Sequence, residues 1–151
     1  MRQTMAILAV LAGACVPHPA IAPPATTYVY IHAAPARVWD AVLTGYTDAA
    51  MQILMLDRSS WFSRARRLLT PASAEQFVDC GTNMLGQRLT KVGPTVVEYT
   101  VSLRAAGDST GVLVRMRGWG RAPATFTCVS RGVLERQFLD HLVASAGVTR
   151  P

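Results

Sequence analysis

The sequence predicts an α+β fold: a curved antiparallel β-sheet with a short N-terminal helix and a C-terminal helix packed on one of its faces. Apolar and polar residues alternate through 97–103 and again through 112–117, as they do in strands of a half-exposed sheet. Two other segments, 34–46 and 131–147, repeat their apolar residues every three or four positions, which is typical of amphipathic helices. Gathering both helices on one face of the sheet is the economical packing for this order of elements.

The composition is that of one folded domain with a modest basic excess. The chain has 151 residues, of which 50% are apolar and 16% charged, enough to build a packed core. Its net charge of +6 comes almost entirely from arginine, because Lys91 is the single lysine. The arginines are spread along the chain and accompany no nucleic-acid-binding module, so we expect no nucleic-acid partner. No apolar run reaches the ~20 residues of a membrane-spanning helix.

The first part of the domain predicts a strand, a helix and a second strand. Aromatic and β-branched residues indicate a strand at 28–32. Within 34–46, Pro35 suits a first helical turn and Gly45 suits a C-terminal stop. The apolar run 51–56 predicts either a buried strand or a continuation of the helix, and its short length favours a strand.

The middle of the chain is less regular. Residues 61–69 contain an aromatic pair and an arginine cluster, and their pattern assigns no element to them. Thr70–Ser73 predicts a break in the chain, and 76–80 predicts a short strand that ends at Gly81.

The second half has the clearest pattern. A hairpin loop is predicted at 107–111 between the two alternating segments, and 124–128 predicts a further short strand. Ser130 is an N-cap candidate for the last helix, which Gly147 is expected to end. The apolar stripe of that helix consists of Leu134, Phe138, Leu142, Leu139 and Val143.

Residues 1–14 have the three parts of a secretory signal peptide. Arg2 supplies a positive start, 5–11 form a short apolar segment, and small residues follow. Cleavage is predicted either before Cys15 or after Ala22, and the proline that follows Ala22 disfavours the second site. The sequence therefore predicts export, with two candidate first residues for the mature protein.

Residues 11–15, LAGAC, resemble the lipobox of bacterial lipoproteins, although Ala12 stands where leucine is commonest. The resemblance implies that Cys15 becomes the lipidated first residue. Val16 after it implies the outer membrane, facing the periplasm; the alternative is a soluble periplasmic or secreted protein. The predicted organisation is a signal peptide at 1–14, a proline-rich tether at 15–27, one α+β domain at 28–147 and a tail at 148–151.

The chain has three cysteines, an odd number for an exported protein. If Cys15 carries lipid, Cys80 and Cys128 remain as a pair, and an oxidising compartment favours a disulfide between them. Two buried thiols, a metal site and a catalytic thiol are the alternatives. A metal site is disfavoured because the chain has no C-x-x-C pair and its histidines lack ligand spacing. We therefore expect neither a metal nor a cofactor.

Residues 30–42, YIHAAPARVWDAV, resemble the opening of START-like helix-grip domains, in which a strand ends in an Ala-Pro pair before a helix carrying Val-Trp. With the lipobox, the proline spacer and LDR at 56–58, they are also similar to the helix-grip domains of small envelope lipoproteins, such as a lipoprotein of the outer-membrane β-barrel assembly machine. The first resemblance implies an apolar ligand held between sheet and helix. The second implies a domain without catalytic residues.

The candidate binding residues are aromatic or basic. Candidates for a ligand pocket or an interface are Trp39, Trp61, Phe62 and Trp119, and candidates for contact with an anionic surface are Arg64, Arg66 and Arg67. The chain has no recognisable catalytic motif, so we expect no enzyme. The leading hypothesis is an envelope lipoprotein with a non-catalytic binding or assembly domain. Its lipid anchor is expected to hold it at a membrane, and its expected partner is an envelope protein or an apolar ligand. The alternative is a soluble periplasmic START-like carrier of an apolar ligand.

Overall fold

A computed structural model of the chain describes residues 28–121 and 125–146. Outside these residues lie the predicted signal peptide (1–14), Cys15, the tether (15–27), the cleavage site after Ala22, Gly147 and the tail (148–151).

The predicted α+β architecture is confirmed, with an antiparallel seven-stranded sheet and both expected helices. The strands are β1 (Val29–Ile31), β2 (Gln52–Asp57), β3 (Phe62–Leu69), β4 (Val78–Asp79), β5 (Thr95–Ala106), β6 (Ser109–Arg121) and β7 (Thr125–Ser130). The helices are α1 (Pro35–Asp48), α2 (Pro71–Phe77) and α3 (Val133–Ser145), with a 3-10 turn at Leu89–Lys91. The strand order is β2-β3-β5-β6-β7-β4, and β1 pairs with the start of β6.

The β5–β6 hairpin supplies the two longest strands of the sheet. The strands pair as far as Ala106 opposite Ser109, so the turn consists of Gly107 and Asp108 alone. The predicted loop at 107–111 is therefore too long, because its last three residues continue the ladder. Gly107 has a φ of 63, a left-handed conformation that tight hairpin turns use and glycine adopts without strain.

The core lies between the sheet and the two long helices. Tyr46 of α1 stacks on Phe138 of α3 with 5.4 Å between ring centroids, and Tyr99 of β5 lies 5.8 Å from Phe138. We call Tyr46, Tyr99 and Phe138 the aromatic cluster. Because each ring comes from a different element, the cluster joins both helices to the sheet.

Gly45 does not end the first helix, contrary to the prediction. α1 continues to Asp48, and Ala50, with a φ of 49, follows its end. A Cβ on Gly45 would lie 2.9 Å from the Phe138 ring. The glycine is therefore needed where α1 and α3 approach each other, and the break follows one turn later.

The predicted break at Thr70–Ser73 is wrong, since it is the start of α2. Pro71 occupies the first helical turn, where its missing N–H has no cost, and Ala74 and Phe77 bury one side of the helix. Because α2 runs to Phe77, the strand predicted at 76–80 is shorter than expected and consists of Val78–Asp79 (β4) alone.

The last helix begins later than the N-cap candidate Ser130 implied. Gly132, with a φ of 74, precedes α3, and its N–H donates to the Ser130 hydroxyl at 2.9 Å. Ser130 therefore holds the turn before the helix rather than the helix end itself.

The predicted pairing of Cys80 with Cys128 is confirmed. A disulfide joins the residue after β4 to β7 and spans 48 residues of sequence. Gly118 lies opposite Cys128, and a Cβ there would approach the Cys128 Cβ to 3.0 Å. Because β7 leads into α3, the bridge fastens the α2–β4 segment beside the start of the last helix.

Candidate binding surface

The strands β3, β5 and β6 turn one face towards the helices and the other away from them. Odd-numbered residues of β5, such as Val97, Tyr99 and Val101, are buried in the core. The residues between them are partly or fully exposed. We call this second side the outer face; it consists of the even-numbered residues of β3 and β5 and the odd-numbered residues 111–119 of β6.

Four arginines occupy the centre of the outer face. Arg66 and Arg117 flank Glu98 in one row across the strands, and Arg64 and Arg115 occupy the next row. Neighbouring strands lie ~4.8 Å apart and alternate residues of a strand ~7 Å apart, so the four α-carbons mark a rectangle of roughly 10 by 7 Å. We call Arg64, Arg66, Arg115 and Arg117 the basic quartet.

The quartet carries more positive charge than its neighbours neutralise. Glu98 Oε1 lies 3.8 Å from Arg64 Nε, a loose ion pair on a partly exposed site. Arg66 donates through Nε to the neutral Gln52 Oε1 at 2.8 Å. Like Arg66, the two quartet residues of β6 are exposed. Four guanidinium groups less the Glu98 carboxylate leave three positive charges facing solvent.

Apolar side chains border the quartet on both sides. The row on one side contains Leu68, Val96 and Trp119, and the row on the other contains Phe62 and Leu113. Leu68 is 65% exposed, whereas Leu113 is 8% exposed. We call these five residues the apolar rim. The outer face thus has a basic centre within an apolar rim.

The first described residues of the chain lie at the edge of the same face. Tyr30 pairs with Gly111 of β6, and a Cβ on Gly111 would lie 3.2 Å from the Tyr30 ring and 3.3 Å from the Tyr28 ring. Both tyrosines are exposed, Tyr30 by 62%. The two rings therefore carry aromatic surface from the apolar rim to the point where the chain enters the domain.

The predicted arginine cluster is divided between the two faces. Arg64 and Arg66 lie on the outer face, but Arg67 lies on the inner face, opposite Val97 and partly buried. The cause is the strand itself, since successive side chains of a strand point to opposite sides. The sequence pattern had assigned no element to 61–69, so it did not separate Arg67 from its neighbours.

The predicted aromatic residues are divided in the same way. Phe62 and Trp119 lie on the outer face, whereas Trp39 is 2% exposed in the core. Trp39 meets Trp61 edge to face with 5.8 Å between ring centroids. This contact favours a packing role for Trp39 and Trp61 over a pocket wall.

Arg115 and Arg117 were not among the predicted binding residues. Their alternation with apolar neighbours placed them on the polar side of a strand, but it did not show which residues of other strands lie beside them. Their significance follows from register: the two-residue turn sets Arg117 opposite Glu98, and β3 then brings Arg66 to the other side of Glu98. No local sequence pattern shows that β3 is the strand that pairs with the other edge of β5.

A groove of about 420 Å³ opens beside the quartet, with Arg66, Leu68 and Val96 among its walls. A second groove, of about 600 Å³, lies by Arg88 and Lys91 in the segment after β4. Both have basic side chains in their walls, and both lie outside the space that the aromatic cluster occupies.

The clearly perturbed titratable groups belong to the scaffold. Hydrogen bonds from the Ser59 and Ser60 hydroxyls lower the pKa of Asp57 to about 2 in the turn after β2. Burial raises the pKa of Tyr46 to about 12, and its 2.9 Å hydrogen bond with the Ser63 hydroxyl opposes that rise.

Across residues 28–121 and 125–146, no three His, Cys, Asp or Glu side chains are grouped to hold a metal. The helices of the same residues are too short or too polar to cross a bilayer.

Comparison with known proteins adds no family to these observations. No protein-family model matches the chain, and no curated protein matches it in sequence. The START-like and lipoprotein resemblances therefore stay predictions, and the function is argued from the residues and their geometry.

Proposed function

We propose that the chain is an exported bacterial envelope lipoprotein, lipid-anchored through Cys15 at the outer membrane and facing the periplasm. Its domain is a non-catalytic binding or assembly module, and the outer face is its binding surface. The observation that carries the proposal is the disulfide between Cys80 and Cys128. Disulfides persist in oxidising compartments, and this one leaves Cys15, the last residue of LAGAC, as the cysteine to be modified.

The packing between the sheet and the C-terminal helix supports a binding module over a carrier. A helix-grip carrier holds its ligand between the sheet and the C-terminal helix, and here the aromatic cluster joins those elements. Leu142 of α3 is fully buried as well. A ligand would have to displace packed side chains, which costs the contacts they make. We therefore place the partner on the surface.

The chemistry of the outer face supports recognition of anionic groups. Guanidinium groups form two-pronged, charge-assisted hydrogen bonds with carboxylates and phosphates. The basic quartet offers four of them on rigid strands, with a single carboxylate, Glu98, among them. Rigid strands fix the backbone positions of these groups, so binding has to order only the arginine side chains themselves.

Metabolic labelling with radioactive palmitate tests the anchor. The full chain, expressed in a bacterium with its own N-terminus, should incorporate label, and Cys15→Ser should not, because it lacks the thiol that carries the lipid. Ala22→Gln is the matched control: it blocks only the alternative cleavage site, so its labelling should equal that of the wild type. An exported, disulfide-bonded wild type without label would refute the anchor and leave an unlipidated protein.

Lipid extraction from the natively purified lipoprotein tests the binding role. Mass spectrometry should find no apolar ligand in stoichiometric amount inside the domain. The control is the outer-face variant Arg115→Gln with Arg117→Gln, which releases lipid held at the surface and keeps lipid held inside. A stoichiometric ligand that survives this substitution would overturn the module in favour of the carrier.

A further inference from the structure

We infer that the outer face lies flat against an anionic phospholipid bilayer, with the basic quartet on the lipid phosphates and the apolar rim at the headgroup level. The inference deepens the proposed function and rests on it for the nearby membrane. It names the surface that the binding module meets.

The quartet matches an array of phosphates better than a single small ligand. Its four guanidinium groups are spread over a roughly 10 by 7 Å rectangle on a sheet rather than converging in a cleft. Each guanidinium can hold a phosphate through two parallel hydrogen bonds. A bilayer presents many phosphates in one plane, so all four arginines can bind at once.

The residues around the quartet suit the boundary between headgroups and acyl chains. Tryptophan and tyrosine are enriched at that level in membrane proteins, with an apolar ring body and a polar tip. Trp119 lies in the row on one side of the quartet, and Tyr30 lies beyond the row on the other side. Leu68, 65% exposed in the same row as Trp119, adds apolar surface.

The charges of the domain are arranged to orient it. The two long helices lie on the side opposite the outer face and carry Asp40, Asp48, Glu135 and Asp140 against Arg37 and Arg136. Arg67 faces the helices from β3 and adds a third guanidinium group on that side. Four carboxylates against three guanidinium groups leave one negative charge there, and three positive charges remain at the quartet. An anionic surface therefore attracts the outer face and repels the helices. Asp57, at the margin of the outer face opposite Phe62, keeps its negative charge, because the Ser59 and Ser60 hydroxyls donate hydrogen bonds to its carboxylate. The exposed Arg104 of β5, also on the outer face, offsets that charge.

The path of the chain favours a bilayer over an acidic protein as the occupant. Tyr28 lies on the outer face beside Gly111, so the chain enters the domain at the margin of that face. Cys15 precedes Tyr28 by 13 residues, a length that spans at most ~45 Å. A lipid on Cys15 keeps the membrane within that distance of the face.

Vesicle sedimentation of the unlipidated full chain tests the inference. The background is Cys15→Ser, so binding does not depend on the anchor. The protein should bind vesicles of phosphatidylglycerol mixed with phosphatidylcholine more tightly than vesicles of phosphatidylcholine alone. Each arginine near an anionic surface contributes about fivefold to the binding constant, so adding Arg115→Gln and Arg117→Gln should weaken binding to the anionic vesicles about 25-fold.

The matched control is Arg37→Gln with Arg136→Gln, which removes the same charge from the helical side. Because charges farther than ~10 Å from the lipid are screened, it should change binding less than about twofold. Equal losses in the two double variants would overturn the inference, since net charge alone would then explain binding. Equal binding of the parent to neutral vesicles, or unchanged binding after the outer-face substitutions, would overturn it too.

The two proposals fail separately. Palmitate on the wild type without vesicle binding by the Cys15→Ser chain would mean an anchored domain whose outer face meets another partner, such as an acidic protein. Vesicle binding without palmitate would uphold the docking surface and remove the anchor. Unchanged urea denaturation midpoints show that each variant is folded.

Discussion

The two faces of β3, β5 and β6 use the same strands and differ in nearly every property. The inner face supplies Val97, Tyr99 and Val101 to the core, where each is at most 1% exposed. The outer face carries the basic quartet between apolar rows, and three of its four arginines are exposed. Since alternate residues of one strand belong to different faces, neighbouring residues are expected to have opposite roles.

Arg66 and Arg67 show what this difference means for a single pair of residues. Arg66 is exposed and bonded to Gln52, whereas Arg67 faces the helices and is partly buried. Adjacent charges in a sequence are therefore not one surface when the segment is a strand. Inner-face substitutions should change the free energy of unfolding, and outer-face substitutions should change binding.

The largest effect is expected from Phe138→Ala. Phe138 contacts both other rings of the aromatic cluster, so truncation leaves a cavity between α1, α3 and the sheet and should lower the free energy of unfolding by about 3–5 kcal/mol. Urea denaturation with the disulfide intact measures it. Leu68→Ala on the outer face is the control, expected within about 0.5 kcal/mol of the wild type. Comparable losses would show that the outer face is also packed.

A loss of about 3–4 kcal/mol is expected from Cys80→Ala with Cys128→Ala. The bridge closes a loop of 48 residues and restricts the unfolded chain. Denaturation with and without dithiothreitol measures the effect, since a reductant should destabilise the wild type and leave the double variant unchanged. A wild type insensitive to reductant after full reduction would contradict a stabilising role for the bridge.

The fold was predictable because its strongest signals are local. Alternation at 97–103 and 112–117 and the stripe of Leu134, Phe138 and Leu142 need no knowledge of the rest of the chain. The turn at Gly107 and the glycine at 45 show the limit. Whether a glycine ends an element depends on what packs beside it, and for Gly45 that is Phe138, far along the sequence.

The candidate site was only half predictable for a related reason. Phe62, Arg64, Arg66 and Trp119 were named from composition, but their shared surface depends on register between three strands. Pairing partners of a strand are non-local, so Arg115 and Arg117 could not be joined to Arg64 and Arg66 from one sequence. The disulfide was predictable because cysteine pairing needs only a count and a compartment.

Alkaline titration is expected to act on the inner face. Burial raises the pKa of Tyr46 from 10.0 to about 12, because the folded protein favours the protonated hydroxyl. This preference contributes fully to the free energy of unfolding below pH 10, and the contribution is lost as the pH rises through 12. Two pH units correspond to about 2–3 kcal/mol. Tyr99, whose pKa burial also raises, adds to the loss. Unfolding free energies measured across this range should fall less steeply in Tyr46→Phe, and an unchanged slope would exclude Tyr46 as a source.

A smaller loss, about 1–2 kcal/mol, is expected from Ser63→Ala. Ser63 is the buried partner of the Tyr46 hydroxyl at 2.9 Å, so its removal leaves a buried polar group unpaired. Tyr46→Phe in the Ser63→Ala background should recover part of the loss, because neither polar group then remains. A double-mutant cycle by urea denaturation measures the coupling. Strictly additive losses would show that the hydrogen bond contributes nothing.

The smallest effect on stability is expected from Arg115→Gln with Arg117→Gln. Both side chains are exposed, and Glu98 keeps Arg64 as its ion-pair partner, so the free energy of unfolding should change by less than about 0.5 kcal/mol. Arg67→Gln on the inner face is the matched comparison, with an expected loss of about 1 kcal/mol from the packing of its partly buried stem. If instead the outer-face pair proved more destabilising than Arg67→Gln, the quartet would be part of the scaffold. Its three uncompensated positive charges would then be explained by stability, without a binding partner.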